Sequence, residues 1–477
     1  METMSYPCSP LTPFPTQHEE SSYLLWSPQV VIPPENGNMC DADPIPYPDE
    51  KQDNELMDML IQEASELLQD DLSNGDPFAG FNMSLAEQEN GNMVPAVPEE
   101  FMEESSLDDL LIAGARAVEA NDSINASAIL SRFDNLMSGI SYRSYRHEAI
   151  GSSFDHLARY FTRGLHSRMS GVRSECHTTA ALALENRMPA CRMLQELSPF
   201  IKFAHFTSNQ AILEATMDNP DVHVVDLNIG EGVQWASLIS DLARNGSKTF
   251  HLTAVMAEAD ADAGPYGMTA RWLSEFAESL NLPFRYSSFH IRRDEDLHGL
   301  TRSCNSPVII SCDTTDCSYT SLIKLQMLLH GSVKILQPKL VILIEDELFR
   351  IGRNLSVGMA SFVEFFCEAL NHFTAVLDSL ASSFCDGGYG VCLELVEKEM
   401  LGPRIEEAVG QYEAVTSGVS GDLEGFRICA LSSFNIAQAK MLVGLFSRGF
   451  GVVHEEGRLA LCWNSRPLTS VSVWSPV

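Results

Sequence analysis

Positive charge is scarce in this chain. Its 477 residues hold 31 Lys and Arg against 65 Asp and Glu, a formal net charge of −34. Any basic cluster therefore has carboxylates of its own chain to pair with before it meets a phosphate backbone. No run of five or more Lys and Arg marks a nuclear-import signal. The 12 cysteines contain no Cys-x-x-Cys, and the nearest pair, Cys312 and Cys317, has four residues between, which excludes a zinc finger. Scattered in this way and without a secretory leader, they are expected to be reduced thiols of the cytosol or nucleus. No apolar run approaches the length that spans a membrane. Nucleophile elbows, phosphate-binding loops and two-histidine metal helices are missing too, so motifs assign no catalytic residue, metal or cofactor.

What is present is unevenly distributed. Residues 1–104 carry 13 of the 23 prolines and 22 acids against the single cation Lys51, a net charge of −21. Like-charge repulsion and scattered proline leave too little apolar burial to offset the entropy of ordering, so this segment is expected to be disordered as an isolated chain. Within it, residues 55–72 place Leu56, Leu60, Ala64 and Leu67 on one helical face, with Asp58, Glu66 and Asp70 opposite. Such a stretch either folds against a coactivator groove as an activation segment or docks on its own domain. Ser105 or Ser106 then caps a helix whose first turn holds Asp108 and Asp109.

Residues 105–477 are expected to form one folded unit, with a helical cap over 107–197 and an α/β core over 198–477. Apolar stripes in the cap (Leu110, Leu111, Ala117, Ile129, Leu130, Phe133 and Leu136) suit core packing, with a partner face as the alternative. Arg143, Arg146, Arg159, Arg163, Arg168 and Arg173 form the best basic cluster, interleaved with Tyr142, Tyr145, Tyr160 and Phe161. It reads either as a salt-bridged helix face or as a track for a DNA backbone.

The core is organised around Val222–Trp235, where Val222, His223, Val224 and Val225 lead into Asp226, and Gly230 and Gly232 precede a helical pattern. A buried parallel strand, a tight turn and a helix N-terminus follow from that order. The turn is either a cofactor crevice, with Asp226, Gly230 and Gly232 as its residues, or a close packing of strand on helix. Glu231 stands where a pyrophosphate would lie and argues against a dinucleotide. Further strands are expected at Phe250–Met256, Phe284–Ile291, Ser306–Asp313 and Lys339–Glu347, separated by helices at Thr269–Leu280, Ser321–Leu329 and Val357–Leu380. Acids gather at the strand ends: Asp226, Glu258, Asp260, Asp262, Asp313, Asp316, Glu345, Asp346 and Glu347. They are expected to cap the helices that follow, with a cation site as the alternative. Trp463 and Trp474 alternate with apolar residues as in a terminal hairpin that closes the core edge.

Several of these stretches carry a resemblance. VHVVDLNIGEGVQW (222–235) resembles the VHIID motif of the plant GRAS family. SPFIKFAHFTSNQAILEA (198–215) resembles its upstream flank. PKLVILIEDE (338–347), residues 362–380 and GPRIEEAV (402–409) resemble the PFYRE region, and GRLALCWNSRPLTSVSVW (457–474) resembles the SAW motif. The placement is nearest the nodulation-signalling branch. Three places depart from the family pattern: the pair His372 and Phe373 where paired aromatics are usual, Phe426 at an early tryptophan position, and Asn228 where an acid is common.

The resemblance implies a Rossmann-like, methyltransferase-like and mostly parallel sheet beneath a helical cap. It also implies a nuclear regulator of transcription without enzymatic activity or cofactor. Its partners would be other GRAS proteins, as homo- or heterodimers, or DNA-bound transcription factors. The processes implied are root symbiosis, through arbuscular mycorrhiza or nodulation, and strigolactone-related expression. Two other classes stay open at this stage. One is a methyltransferase using S-adenosylmethionine at the 226–232 turn; the other is a factor that reads promoter DNA itself through Arg143, Arg146, Arg159 and Arg163.

Overall fold

The computed structural model describes residues 58–68, 106–138, 151–171, 180–244, 246, 248–257, 264–291, 307–315, 319–357, 361–385, 387–416 and 423–477. Of the acidic segment 1–104 this leaves only helix α1, residues 58–68. The cap begins with α2 (Leu107–Glu119), α3 (Ser123–Ser138), α4 (Gly151–Ser170) and α5 (Ala180–Leu197). Ser106 caps α2: its hydroxyl accepts from Asp109 N while the Asp109 carboxylate accepts from Ser106 N, the reciprocal bonds of a capping box. Helix α6 (Pro199–Ala215) follows, with proline at its first position and buried residues on nearly every side, as befits a helix enclosed by core.

The core then alternates strand and helix: β1 (Asp221–Asp226), α7 (Val233–Arg244), β2 (Thr249–Ala257), α8 (Gly264–Ser279), β3 (Phe284–Ile291), β4 (Val308–Asp313), α9 (Tyr319–Leu336) and β5 (Leu340–Asp346). These five strands are parallel in the order β3-β2-β1-β4-β5. Successive residues face opposite layers, so both layers need apolar side chains. Val222, Val224, Leu252, Ile309 and Ile342 join the larger cluster, which is continuous with the cap. Val225, Val255, Ile310, Val341 and Leu343 meet Leu325, Leu329 and Val333 of α9 on the other face.

The second half returns to the cap. Helices α10 (Glu347–Val357), α11 (Phe362–Cys385) and α12 (Gly390–Val396), a π-helical segment (Glu397–Leu401), α13 (Gly402–Gly410) and α14 (Tyr412–Thr416) follow β5. The helix expected over Val357–Leu380 is α11, which begins at Phe362, while Val357 is the last residue of α10. Ser361 and Glu364 exchange the bonds of a second capping box and start α11 afresh. The last elements are β6 (Phe426–Ile428), α15 (Ser433–Val443), β7 (Phe450–Glu455), β8 (Arg458–Trp463) and β9 (Arg466–Pro476). Strand β9 runs antiparallel to β5, β8 and β6, so the terminal hairpin completes a nine-stranded mixed sheet.

Trp463 is buried and rings against Phe450 at 4.8 Å, and it lies so close to Gly449 that a Cβ there would sit 2.3 Å from the indole. Trp474 is half-buried beside the α9 layer and donates from Nε1 to Ser472 Oγ at 3.0 Å. Among the described residues no helix is long and apolar enough to cross a membrane.

Candidate functional site

In a sheet ordered 3-2-1-4-5 the direction of winding reverses between β1 and β4, and ligands of such folds bind where those strands end. Asp226 and Asp313 are those two ends. Asp226 is buried, with one carboxylate oxygen accepting from Asn228 N at 3.0 Å and the other from Trp235 Nε1 at 2.8 Å. Trp235 is itself fully buried at the first turn of α7. Burial pushes the Asp226 carboxyl up to about 7, against the pull of its two hydrogen bonds and with a further push from Asp313.

Asn228 spans the gap. It donates from Nδ2 to Asp313 O at 2.9 Å, which a carboxylate at this position could not do. Asp313 accepts from both the amide and the hydroxyl of Thr315, and His205 of α6 lies 4.0 Å away, its pKa lowered to about 4 by burial.

The two glycines of the turn differ. Both have positive φ, but a Cβ on Gly230 would meet nothing, whereas one on Gly232 would lie 2.6 Å from Thr269 and 3.4 Å from Leu273 of α8. Gly232 thus lets α8 close over the turn. His223, within the strand motif, stacks on His251 with ring centroids 4.1 Å apart and bonds Thr253 Oγ1 through Nε2. Burial, then the neighbouring His251, lowers its pKa to about 4, so the pair packs as neutral rings. Val222, Val224 and Val225 are buried on the two faces of the sheet.

A second polar centre lies at the end of β5. Asp346 Oδ2 accepts from Arg404 at 2.9 Å, its Oδ1 accepts from Leu348 N, and His372 Nε2 lies 3.3 Å from that same oxygen. Glu347, wholly buried, joins Arg350 at 2.6 Å and Arg458 at 2.8 Å. Burial opposes ionisation of Asp346, but His372 and Arg404 outweigh it and hold the carboxyl well below the usual range. Residues of the PFYRE-like and SAW-like stretches thus converge on one strand end. Nothing in the spacing of residues 346, 372, 404 and 458 could have revealed it.

Among the described residues, the arginines of the basic cluster are engaged within the chain. Arg159 donates to Met137 O, Arg163 pairs with Glu406 at 3.1 Å, and Arg168 makes two bonds to Glu413 while lying 4.4 Å over the Phe362 ring. Together with Gly164 against Val409 and Gly402 against Tyr160, Arg163 and Arg168 seam α4 to the C-terminal helices, while Arg159 ties it to α3. Arg143, Arg146 and Arg173 lie outside the described residues, as do Glu258, Asp260, Asp262 and Asp316 of the acidic group. Among the described residues no cluster of three or more His, Cys, Asp or Glu is arranged to hold a metal. Leu110, Leu111, Leu130 and Phe133 are buried in the cap and Ile129 is half-buried, while α3 exposes Ile124 and Leu136.

Comparison with known proteins agrees with this architecture. The GRAS domain family model matches residues 107–475. Protein NODULATION SIGNALING PATHWAY 2 of Medicago truncatula is 33% identical over 400 residues, covering 77% of this chain and 75% of the relative. The protein of the same name from Lotus japonicus is 33% identical over 398 residues, with the same coverage. The crystal structure of SCL7 in Oryza sativa superposes with a TM-score of 0.57 at 25% identity, over 78% of this chain and all of that one. Motifs, Rossmann-like sheet and cap meet in one assignment: the chain belongs to the GRAS domain family of plant transcriptional regulators.

Proposed function

We propose that this protein is a nuclear transcriptional co-regulator of root symbiosis that works by assembling with other GRAS proteins or with DNA-bound transcription factors, and that it is not an enzyme. The observation that carries the reading is the commitment of the switch-point acid to its own chain. Where a methyltransferase would present an acid and a glycine turn to its cofactor, Asp226 is committed to Trp235 and Asn228, and α8 covers Gly232. A site with its polar groups already satisfied by the chain has little to offer a ligand.

The symbiotic role comes from the two relatives named for nodulation signalling. Nodulation, arbuscular mycorrhiza and strigolactone-related genes are the processes to examine. For partner contact the cap offers Ile124 and Leu136, while Leu110, Leu111, Leu130 and Phe133 hold the helices together from inside. The acidic segment 1–104 is the candidate contact with the transcription machinery.

The full-length protein tests this by fluorescence anisotropy on promoter DNA at two salt concentrations, alone and with DNA-bound partners. A complex formed only with the partner, and no shift in melting temperature with S-adenosylmethionine, is the expected result. Tight, salt-sensitive binding alone, lost when Arg143 and Arg146 become Glu, would replace it with direct DNA recognition. A thermal shift with the cofactor that Asp226→Asn abolishes would replace it with the methyltransferase reading.

A further inference from the structure

Helix α1, residues 58–68, stands outside the family-matched region and is joined to it through the acidic stretch 69–105. Its Leu60 and Ala64, one turn apart, are 1% and 0% exposed and belong to the main core cluster, with Ile61, Leu67 and Leu68 packed at the edge. Glu63 places α1 against α5 and near α12, and those two helices touch each other. Glu63 lies 3.5 Å from Arg192 of α5, and its charge reaches Cys392 of α12, whose thiol is pushed up to about 11 by burial first and by Glu63 second.

Apolar surface continues past the edge of this contact. Met59, one turn before Glu63, Met188, one turn before Arg192, and Val391, next to Cys392, are 49%, 42% and 37% exposed. The outer face of α1 is polar, with Asp58, Gln62 and Glu66 in solvent. A helix this short has little helicity of its own in water, so it is ordered because it is docked. Its departure would uncover a slot shaped for a Leu-x-x-x-Ala face, with Arg192 beside it to receive a carboxylate.

We propose that the α5–α12 seat is a docking site for an acidic amphipathic helix of a partner protein, and that α1 occupies it in the isolated chain. The chemistry of the resident defines that of the partner: an apolar pair one turn apart, a carboxylate between them and an acidic outer face. Tethering through residues 69–105 gives α1 a high local concentration, so a lone weak helix does not displace it. A partner that also binds elsewhere on the cap does.

The test uses the full-length chain and a fluorescein-labelled peptide of residues 55–72 as probe, read by anisotropy. A Leu60→Asp/Ala64→Asp chain, with α1 undocked, should bind the probe saturably and about ten-fold more tightly than the wild type. Adding Arg192→Glu should weaken that binding, and a probe carrying Leu60→Asp should not bind. Equal binding by wild type and variant overturns the proposal, as does absence of binding by a variant whose circular dichroism and melting are those of a folded protein.

A second arrangement leaves every native residue in place: a protease site inserted within 69–105 frees α1 from its tether after cutting. Exchange of α1 for the added probe supports the proposal. Its retention against a large excess overturns it, because the helix is then a permanent part of the domain. A mass that doubles with concentration by light scattering, lost in the Leu60→Asp/Ala64→Asp chain, also overturns it by giving the seat to α1 of a second copy.

Discussion

Asp226 and Asp346 hold the same place in the sheet, each the last residue of a parallel strand and each buried. Each spends one carboxylate oxygen in the same way, accepting the amide two residues on, from Asn228 and from Leu348. The other interactions differ. Asp226 receives a neutral indole N–H, whereas Asp346 receives the Arg404 guanidinium and has the His372 ring beside it. Burial therefore carries Asp226 up to about 7, while the same burial at Asp346 is outweighed and its carboxyl stays far below the ordinary range. One fold position thus yields two opposite shifts in acidity, set by side chains that arrive from elsewhere in the chain. The weakly acidic end lies at the crevice a ligand would use; the strongly acidic end ties the SAW-like and PFYRE-like stretches to the sheet.

The sharpest way to break the comparison is Arg404→Met. It leaves a buried carboxylate with one fewer cation and should cost about 3–5 kcal/mol in urea unfolding. A loss below about 1 kcal/mol would mean that the pair does not set the state of Asp346.

Next in size is the pH dependence, which runs in opposite directions at the two sites. The folded pKa of Asp346 is lowered, so its contribution is present above the unfolded value near 4 and is lost as pH falls through the folded one. The folded pKa of Asp226 is raised, so full stability holds below pH 4 and a penalty grows as pH rises toward about 7. Asp226→Asn cannot ionise. Its stability relative to wild type should therefore improve by about 2–3 kcal/mol between pH 5 and pH 8 in parallel denaturant titrations. A difference that stays flat with pH would show that Asp226 is ionised throughout.

Trp235→Phe follows, removing the Nε1 donor while keeping most of the buried ring. The expected cost is about 1–3 kcal/mol, with the larger loss at pH 8, where the orphaned carboxyl is charged. A loss that does not grow between pH 5 and pH 8 would contradict an indole N–H that stabilises the carboxylate of Asp226.

Much of the fold was legible because its signals are local. The runs at 222–226, 250–256 and 339–347 read as doubly buried strands, and Ser105 or Ser106 with Asp108 or Asp109 read as a helix start. The capping box at Ser361 and Glu364 was equally legible, yet the apolar periodicity around it reads as one unbroken helix. The site was less accessible to sequence. Asp226 and its glycines stood out, but their being satisfied by Trp235 and α8 depends on how a crossover helix packs. The arginines of α4 stood out as a basic cluster, but Glu406 and Glu413, which receive Arg163 and Arg168, lie more than two hundred residues away. The family resemblance supplied the motif names, while these pairings come only from three dimensions.

The finest test concerns His372, which the resemblance to the PFYRE region marks as a departure from paired aromatics. His372 is buried, stands edge-on to Phe373 at 5.3 Å and has Nε2 3.3 Å from Asp346, while its Nδ1 is buried without a hydrogen-bond partner. His372→Phe removes one interaction from Asp346 and with it the unpaired ring nitrogen, and Arg404 remains to hold the charge. These effects oppose each other, so the net change should lie within about 1 kcal/mol, small beside that of Arg404→Met. A double-mutant cycle of the two substitutions then separates the partners. Near-additivity would make Arg404 alone the source of the difference between Asp346 and Asp226. A strong coupling would mean that the histidine and the arginine act as one unit, and that the charged strand end of this chain is built differently from that of relatives carrying the aromatic.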